Sequence, residues 1–167
     1  MNELGEITRC YSLRYERRSK HSPERLWRAI TDSSELSRWM SYPARVDLRV
    51  GGDYAVDFSR TGEGSLDGVI VRIEPARRLA YVWGTSVVEW TLEPDGDGCR
   101  YSFAHHGMAR RGIPDEEGVA VGWHLWLDDF EAHLSGALPT LDSSRAQSRE
   151  LARTYRVRLD EVLGAPA

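Results

Sequence analysis

The segment from Asp115 to about Gly136, DEEGVAVGWHLWLDDFEAHLSG, reads as one long amphipathic helix that follows a run of short alternating strands. Trp123, Leu127, Phe130 and Leu134 recur at spacings of four, three and four, which aligns them on one helical face. Trp126 widens that stripe, and His124, Asp128, Asp129 and Glu131 take the other side. A single helix of this kind needs a broad apolar surface to lie on, and the preceding strands can supply it. A sheet that grips one helix commonly encloses a pocket, so function is sought between the two.

The strands are marked by their punctuation. Residues 10–18 alternate Tyr11, Leu13 and Tyr15 with Ser12, Arg14 and Glu16, the pattern of a half-buried strand. Ser22-Pro23-Glu24 then opens a helix with buried side Leu26, Trp27 and Ile30: serine caps, proline suits the first turn, and glutamate complements the dipole. A second short helix from Ser33 or Ser34 carries Leu36, Trp39 and Met40 and ends at Tyr42-Pro43. From Ala44 the period changes to two, with strands expected at about 45–50, 53–59, 66–74, 78–83, 86–93 and 99–106. The turns between them are Gly51-Gly52, Thr61 to Gly64, Pro75 to Arg77, Gly84-Thr85 and Pro94 to Gly98. Such short connections make consecutive strands antiparallel neighbours, and with the first strand there are seven. A loop from Gly107 to Pro114 leads to the long helix.

After Pro139 a second amphipathic segment, roughly 143–163, aligns Leu151, Tyr155, Leu159 and Val162, with Arg145, Arg149, Arg153, Arg156 and Arg158 around them. This divides the chain into a domain over 1–140 and a helical extension over 141–167. A modest apolar stripe usually serves its own core. The other use of this one is a homodimer through Leu151, Tyr155 and Leu159, or another partner.

With 167 residues the chain can bury one real core. Its net charge of -4 offers no general attraction for nucleic acid or an anionic membrane. No apolar run approaches the ~20 residues of a membrane span, and the polar start MNELGEITRC lacks a secretory segment, so a cytoplasmic location is expected. Cys10 and Cys99 have no metal-like spacing and are expected as free thiols.

The aromatic residues suit both a core and a cavity. The cavity candidates are Trp39, Tyr54, Phe58, Trp83, Trp90, Phe103, His105, Trp123 and Leu127. Tyr54, Val56 and Phe58 share a strand face, as do Val88, Trp90 and Leu92, and Tyr101, Phe103 and His105. His105 is the candidate polar handle, although a histidine near a strand end is more often just satisfied by its surroundings. His106 points the other way in a regular strand, so the pair cannot share one metal without a bulge. Asp129 with His133, and His124 with Asp128, lie four apart and read as a solvated helix face. No nucleophile elbow, His-Glu-x-x-His, phosphate loop or dinucleotide fingerprint occurs, so no catalytic residue, metal ligand or cofactor is assigned.

The order of strand, two short helices, six-strand meander and long helix resembles the helix-grip fold of the START-like (SRPBCC) superfamily. Ser22-Pro23-Glu24-Arg25-Leu26-Trp27-Arg28-Ala29-Ile30-Thr31-Asp32, then Leu36 and Trp39-Met40, resembles the entry region of the family related to the activator of heat-shock protein 90 ATPase. Gly68-Val69-Ile70-Val71-Arg72-Ile73-Glu74-Pro75, Arg78-Leu79 and Trp83 are similar to its GxVxxIEPxxRLxxxW stretch. Tyr101 to Met108 resembles its LTLTHxGL strand end, and Gly122-Trp123 with Leu127 its GWxxxLxxL helix. The resemblance spans about residues 10–136. It implies an α+β fold, a seven-stranded antiparallel sheet around a long C-terminal helix, here with one further helix. It also implies that the first and last strands pair antiparallel, which sets Cys10 and Cys99 at opposite ends. The full eukaryotic co-chaperone carries a separate N-terminal domain, so chaperone activation is not carried over. Superfolds host many functions, and three readings follow. The leading one is a binding protein for a small apolar or aromatic molecule held between sheet and helix. The others are a cyclase or aromatase of the polyketide type, working through His105, Tyr54 or Tyr101, and a co-chaperone-like or dimeric stress protein.

Overall fold

A computed structural model describes residues 6–7, 12–107, 113–138 and 144–163. In chain order these form β1 Glu6–Ile7, β2 Leu13–Ser19, α1 Pro23–Thr31, α2 Ser33–Met40, β3 Ala44–Val46, β4 Asp53–Asp57, β5 Ser65–Glu74, β6 Arg78–Trp83, β7 Ser86–Asp95, β8 Gly98–His106, α3 Ile113–Leu134 and α4 Ser144–Leu163, with a 3-10 turn at Ser59–Thr61. Among the described residues the strands make one antiparallel sheet in the order β1-β2-β8-β7-β6-β5-β4-β3. The seven expected strands are all there, and β1 adds a two-residue pairing on β2. Strands β3 to β8 neighbour one another in sequence order, and β2 closes on β8 with Tyr15 opposite Phe103 and Ser19 opposite Cys99.

The helix entrances follow from local chemistry. Ser22 Oγ accepts the Arg25 N–H at 3.3 Å, and Pro23 takes the first helical position of α1, where its missing N–H costs nothing. Asp32 ends α1 and caps α2, its carboxylate accepting the Ser34 and Glu35 N–H groups at 3.0 and 2.9 Å. Leu26, Ala29, Ile30, Leu36, Trp39 and Met40 give these two helices their buried sides.

Several boundaries differ from the expectation, each for a physical reason. β3 stops at Val46 because the chain turns through residues 47–52, and Gly51 donates to Ile70 O at 2.7 Å on β5. The apolar alternation that suggested a longer strand leaves Leu48 and Val50 exposed. β4 ends at Asp57, whose side chain accepts the Ser59 N–H at 2.8 Å and starts the 3-10 turn. β7 and β8 run to Asp95 and from Gly98, so the expected five-residue loop shrinks to Gly96-Asp97, with Gly96 at φ 60. α3 begins at Ile113, so Pro114 stands in its first turn.

α3 lies across the inner face of the sheet, with α1 and α2 against its C-terminal half and α4 along its back. Leu151, Tyr155 and Leu159 of α4 are buried within the chain's own fold. Cys99 is a buried free thiol on β8; Cys10 lies outside the described residues. Among the described residues no helix is long and apolar enough to cross a membrane.

Candidate functional site

Alternation along the strands sends Leu13, Tyr15, Arg17 and Ser19 of β2, Val88, Trp90 and Leu92 of β7, and Cys99, Tyr101, Phe103 and His105 of β8 toward α3. The rings between sheet and helix divide into a deep group and a rim group. In the deep group Trp90 meets Phe103 at 5.0 Å, Phe130 at 5.3 Å and Tyr101 at 6.0 Å, and Trp39 meets Phe130 at 5.3 Å. Three polar tips in and beside it are satisfied by protein, whereas the buried Tyr101 hydroxyl has no hydrogen-bond partner among the described residues. Trp39 Nε1 donates to Ala29 O at 3.0 Å, Tyr54 Oη to Ile30 O at 2.9 Å, and Trp90 Nε1 to Tyr81 Oη at 3.3 Å. Tyr54 also stacks on Tyr81 with centroids 3.7 Å apart. Trp39, Tyr54, Trp90 and Phe103 of the expected cavity set are therefore fully buried and packed ring to ring, and Leu127 joins the same core from α3.

The rim group is a continuous string of rings. Tyr42 packs on Phe58 at 4.7 Å, Phe58 on Trp126 at 5.9 Å and Trp83 at 6.1 Å, Trp83 on Trp123 at 5.4 Å, and Trp123 on Trp126 at 5.1 Å. The Arg60 guanidinium lies 5.5 Å over the Tyr42 ring. Tyr42, Trp83 and Trp126 remain partly open, whereas the deep rings are closed. The structure thus brings four of the expected residues, Phe58, Trp83, Trp123 and His105, to one end of the interface between sheet and α3 and leaves the other five in its packed interior. Trp126 and Tyr42 were not among the expected set. Their signals were present, as the widening of the α3 stripe and as the residue closing α2 before Pro43.

His105 ends this string. Its Nδ1 accepts the Trp123 indole N–H at 3.0 Å, and the two rings stand edge to face. Burial, and secondarily the neighbouring His106, push its pKa down to about 4, so the imidazole is neutral near pH 7. His106 is exposed on the outer face, where its ring lies 3.3 Å from Ser12 Oγ.

A polar cluster occupies the seam between β2, β8 and α3. Arg17, with a side chain 3% exposed, donates to Asp128 Oδ1 at 2.8 Å and to His124 O at 3.3 Å. Ser19 Oγ donates to Glu131 Oε2 at 3.1 Å. His124 is fully buried and meets Tyr155 Oη of α4 through Nδ1 at 3.0 Å. Burial raises the Glu131 carboxyl and the Tyr101 hydroxyl and lowers His124 from their usual ranges. His133 Nε2 lies 2.9 Å from Glu35 Oε2. The expectation that the pairs Asp129 with His133 and His124 with Asp128 lie on a solvated face is therefore corrected for His124, Asp128 and His133, which meet Tyr155, Arg17 and Glu35. α3 has cover on three sides, from the sheet, from α2 and from α4. Among the described residues no group of three or more His, Cys, Asp or Glu is placed to hold a metal ion.

The family described as Activator of Hsp90 ATPase homolog 1-like protein matches residues 20–135. The chain belongs to this family. Solved structures of the same fold include CalU16 from Micromonospora echinospora, with 25% identity, TM-score 0.71, and 93% of this chain and 94% of that one covered. A conserved protein of unknown function from Enterococcus faecalis, EF2215, gives TM-score 0.77 at 15% identity over 95% of this chain and 90% of that one. DynU16, a protein in the dynemicin biosynthetic locus, gives TM-score 0.63 at 20% identity over 77% of this chain and 48% of that one. No curated protein matches the chain.

Proposed function

We propose that the chain binds a small apolar or aromatic molecule at the rim end of the gap between the sheet and α3, against Phe58, Trp83, Trp126, Trp123 and His105. The observation that carries this reading is the partly open string of rings at that one end, continuous with a closed aromatic core. Contiguous apolar surface left open on a domain marks a site of association more often than chance packing does. A flat ligand covering roughly 100 Å² of it would gain about 2.5 kcal/mol from burial alone. Rigid rings give that area at little entropic cost.

A thermal-shift screen of lipids, aromatic polyketides and flavonoid-like compounds, followed by titration calorimetry, tests the reading. Aromatic compounds should raise the melting temperature, and Trp126→Ala should weaken their binding while the chain stays folded. The reading fails if no compound shifts the transition and native mass spectrometry of the purified protein finds no bound molecule.

A further inference from the structure

The hydrogen bond between Trp123 and His105 fixes more than a side-chain position. An indole N–H only donates, so His105 Nδ1, its acceptor at 3.0 Å, must carry a lone pair. The proton of the neutral ring then sits on Nε2. Among the described residues Nδ1 is the ring nitrogen engaged by protein, and Nε2 is left as a donor on the inner face of β8. The ring has no second tautomer available without breaking the Trp123 bond. Burial resists a second proton as well, which keeps the group a neutral donor rather than a cation. The rings gathered at this end beside His105 are Trp83, Trp123, Trp126 and Phe58, which offer mainly apolar faces.

We propose that His105 is a specificity-determining residue that selects a neutral aromatic ligand bearing a hydrogen-bond-accepting oxygen, such as an aryl ketone or quinone, with Nε2–H donating to that oxygen. This rests on the reading that a small molecule binds at the rim end. A group that can only donate is unmatched against Nε2–H, because an unpaired buried donor costs more than the bond itself gains. A carboxylate meets no countercharge from a neutral imidazole and loses its hydration among the rings. The preferred ligand is therefore polar at one atom and apolar elsewhere.

The test has two arms. Long-range nitrogen–proton NMR of the full chain should show His105 protonated at Nε2 and bare at Nδ1 at pH 7, and Trp123→Phe should let the other tautomer appear. Protonation at Nδ1 in the native chain overturns the proposal without reference to any ligand. In the second arm, 9-fluorenone and fluorene, which share a planar ring frame and differ by one carbonyl, are titrated by calorimetry. Fluorenone should bind on the order of tenfold more tightly, and His105→Phe should erase the difference while fluorene still binds. Equal affinities for the two compounds in the native chain overturn the selection by His105 and leave the binding reading standing. Failure of both compounds, together with a blank in the broader screen, removes the binding reading and this proposal with it.

Discussion

Glu35 is 6% exposed where α1, α2 and α3 meet, and its carboxylate receives Arg25, Arg28 and His133 at 2.6, 2.7 and 2.9 Å. Burial works to raise its pKa, but the bonds from His133 and Arg25 and the nearby arginine charges outweigh it and hold the carboxyl below its usual range. Glu35→Ala removes the acceptor and leaves its partners facing a partly closed site. We expect a loss of about 2 kcal/mol in urea unfolding at pH 7, less than a fully buried pair because Arg28 is open to solvent. The acid dependence has a definite sign. A depressed carboxyl gives stability that is present above its unfolded pKa and lost as pH falls through the lower folded value. For His105 the folded pKa of about 4 lies below the ordinary 6.5, so the fold prefers the neutral ring. Its stabilisation is full above pH 6.5 and is lost as pH falls toward 4. His105→Gln, which keeps an acceptor for Trp123, should flatten the stability curve between those two values. A parallel curve in the variant counts against this assignment. The sequence pointed to His105 through strand alternation but carried no sign of its bond to Trp123, whose reach depends on where α3 crosses the sheet.

At the scale of elements, turn chemistry made the strands legible. Gly51-Gly52, Pro75 to Arg77 and Gly84-Thr85 punctuate segments whose alternation matched the buried faces of β4, β7 and β8. Periodicity was less informative for α3, because it says which residues share a face and not how many faces are covered. The back of α3 is closed by α4, where His124 meets Tyr155. Leu151→Ala should therefore cost about 2–4 kcal/mol by leaving a cavity on α3. Calorimetric unfolding of that variant would measure it. A change in solution mass with no loss of stability would instead assign the stripe to a partner. Gly68 marks a second constraint, invisible in composition. A Cβ there would meet the backbone carbonyl oxygens of Val82 and Tyr54, the latter at 2.7 Å, because β5 passes closely between its neighbours. Backbone cannot move aside as a side chain can, so Gly68→Ala should cost at least about 2 kcal/mol. It should also weaken the near-ultraviolet dichroism of the stacked Tyr54 and Tyr81.

Across the whole molecule, one strand is fastened along one helix. Tyr15 Oη donates to Ala120 O at 2.6 Å, Arg17 reaches His124 O and Asp128, Ser19 donates to Glu131, and His21 Nε2 lies 3.5 Å from Ser135 Oγ. From Tyr15 onward, every second residue of β2 and of the chain just past it meets successive turns of α3. The spacing fits because two strand residues advance about 6.6 Å and four helical residues about 6 Å. The closing strand β2 joins β8 from far away in sequence, while the rest of the sheet is built from short hairpins. The β2–α3 seam is thus the long-range fastening, and Arg17 is its charged centre. Sequence alternation placed Arg17 on the same side as Tyr15, yet an arginine at that position gives no hint that an aspartate from a helix more than a hundred residues later will face it. Arg17→Met keeps the apolar stem but leaves Asp128 without the guanidinium. Because Asp128 retains some exposure, the expected loss is about 2 kcal/mol. Hydrogen–deuterium exchange with peptide resolution should show the first loss of protection in α3 around residues 120–131, with the β6–β7 and β7–β8 hairpins still protected. Uniform loss over the sheet and α3 together would mean that the seam does not open as a unit, and unchanged protection in α3 would remove Arg17 from the fastening altogether.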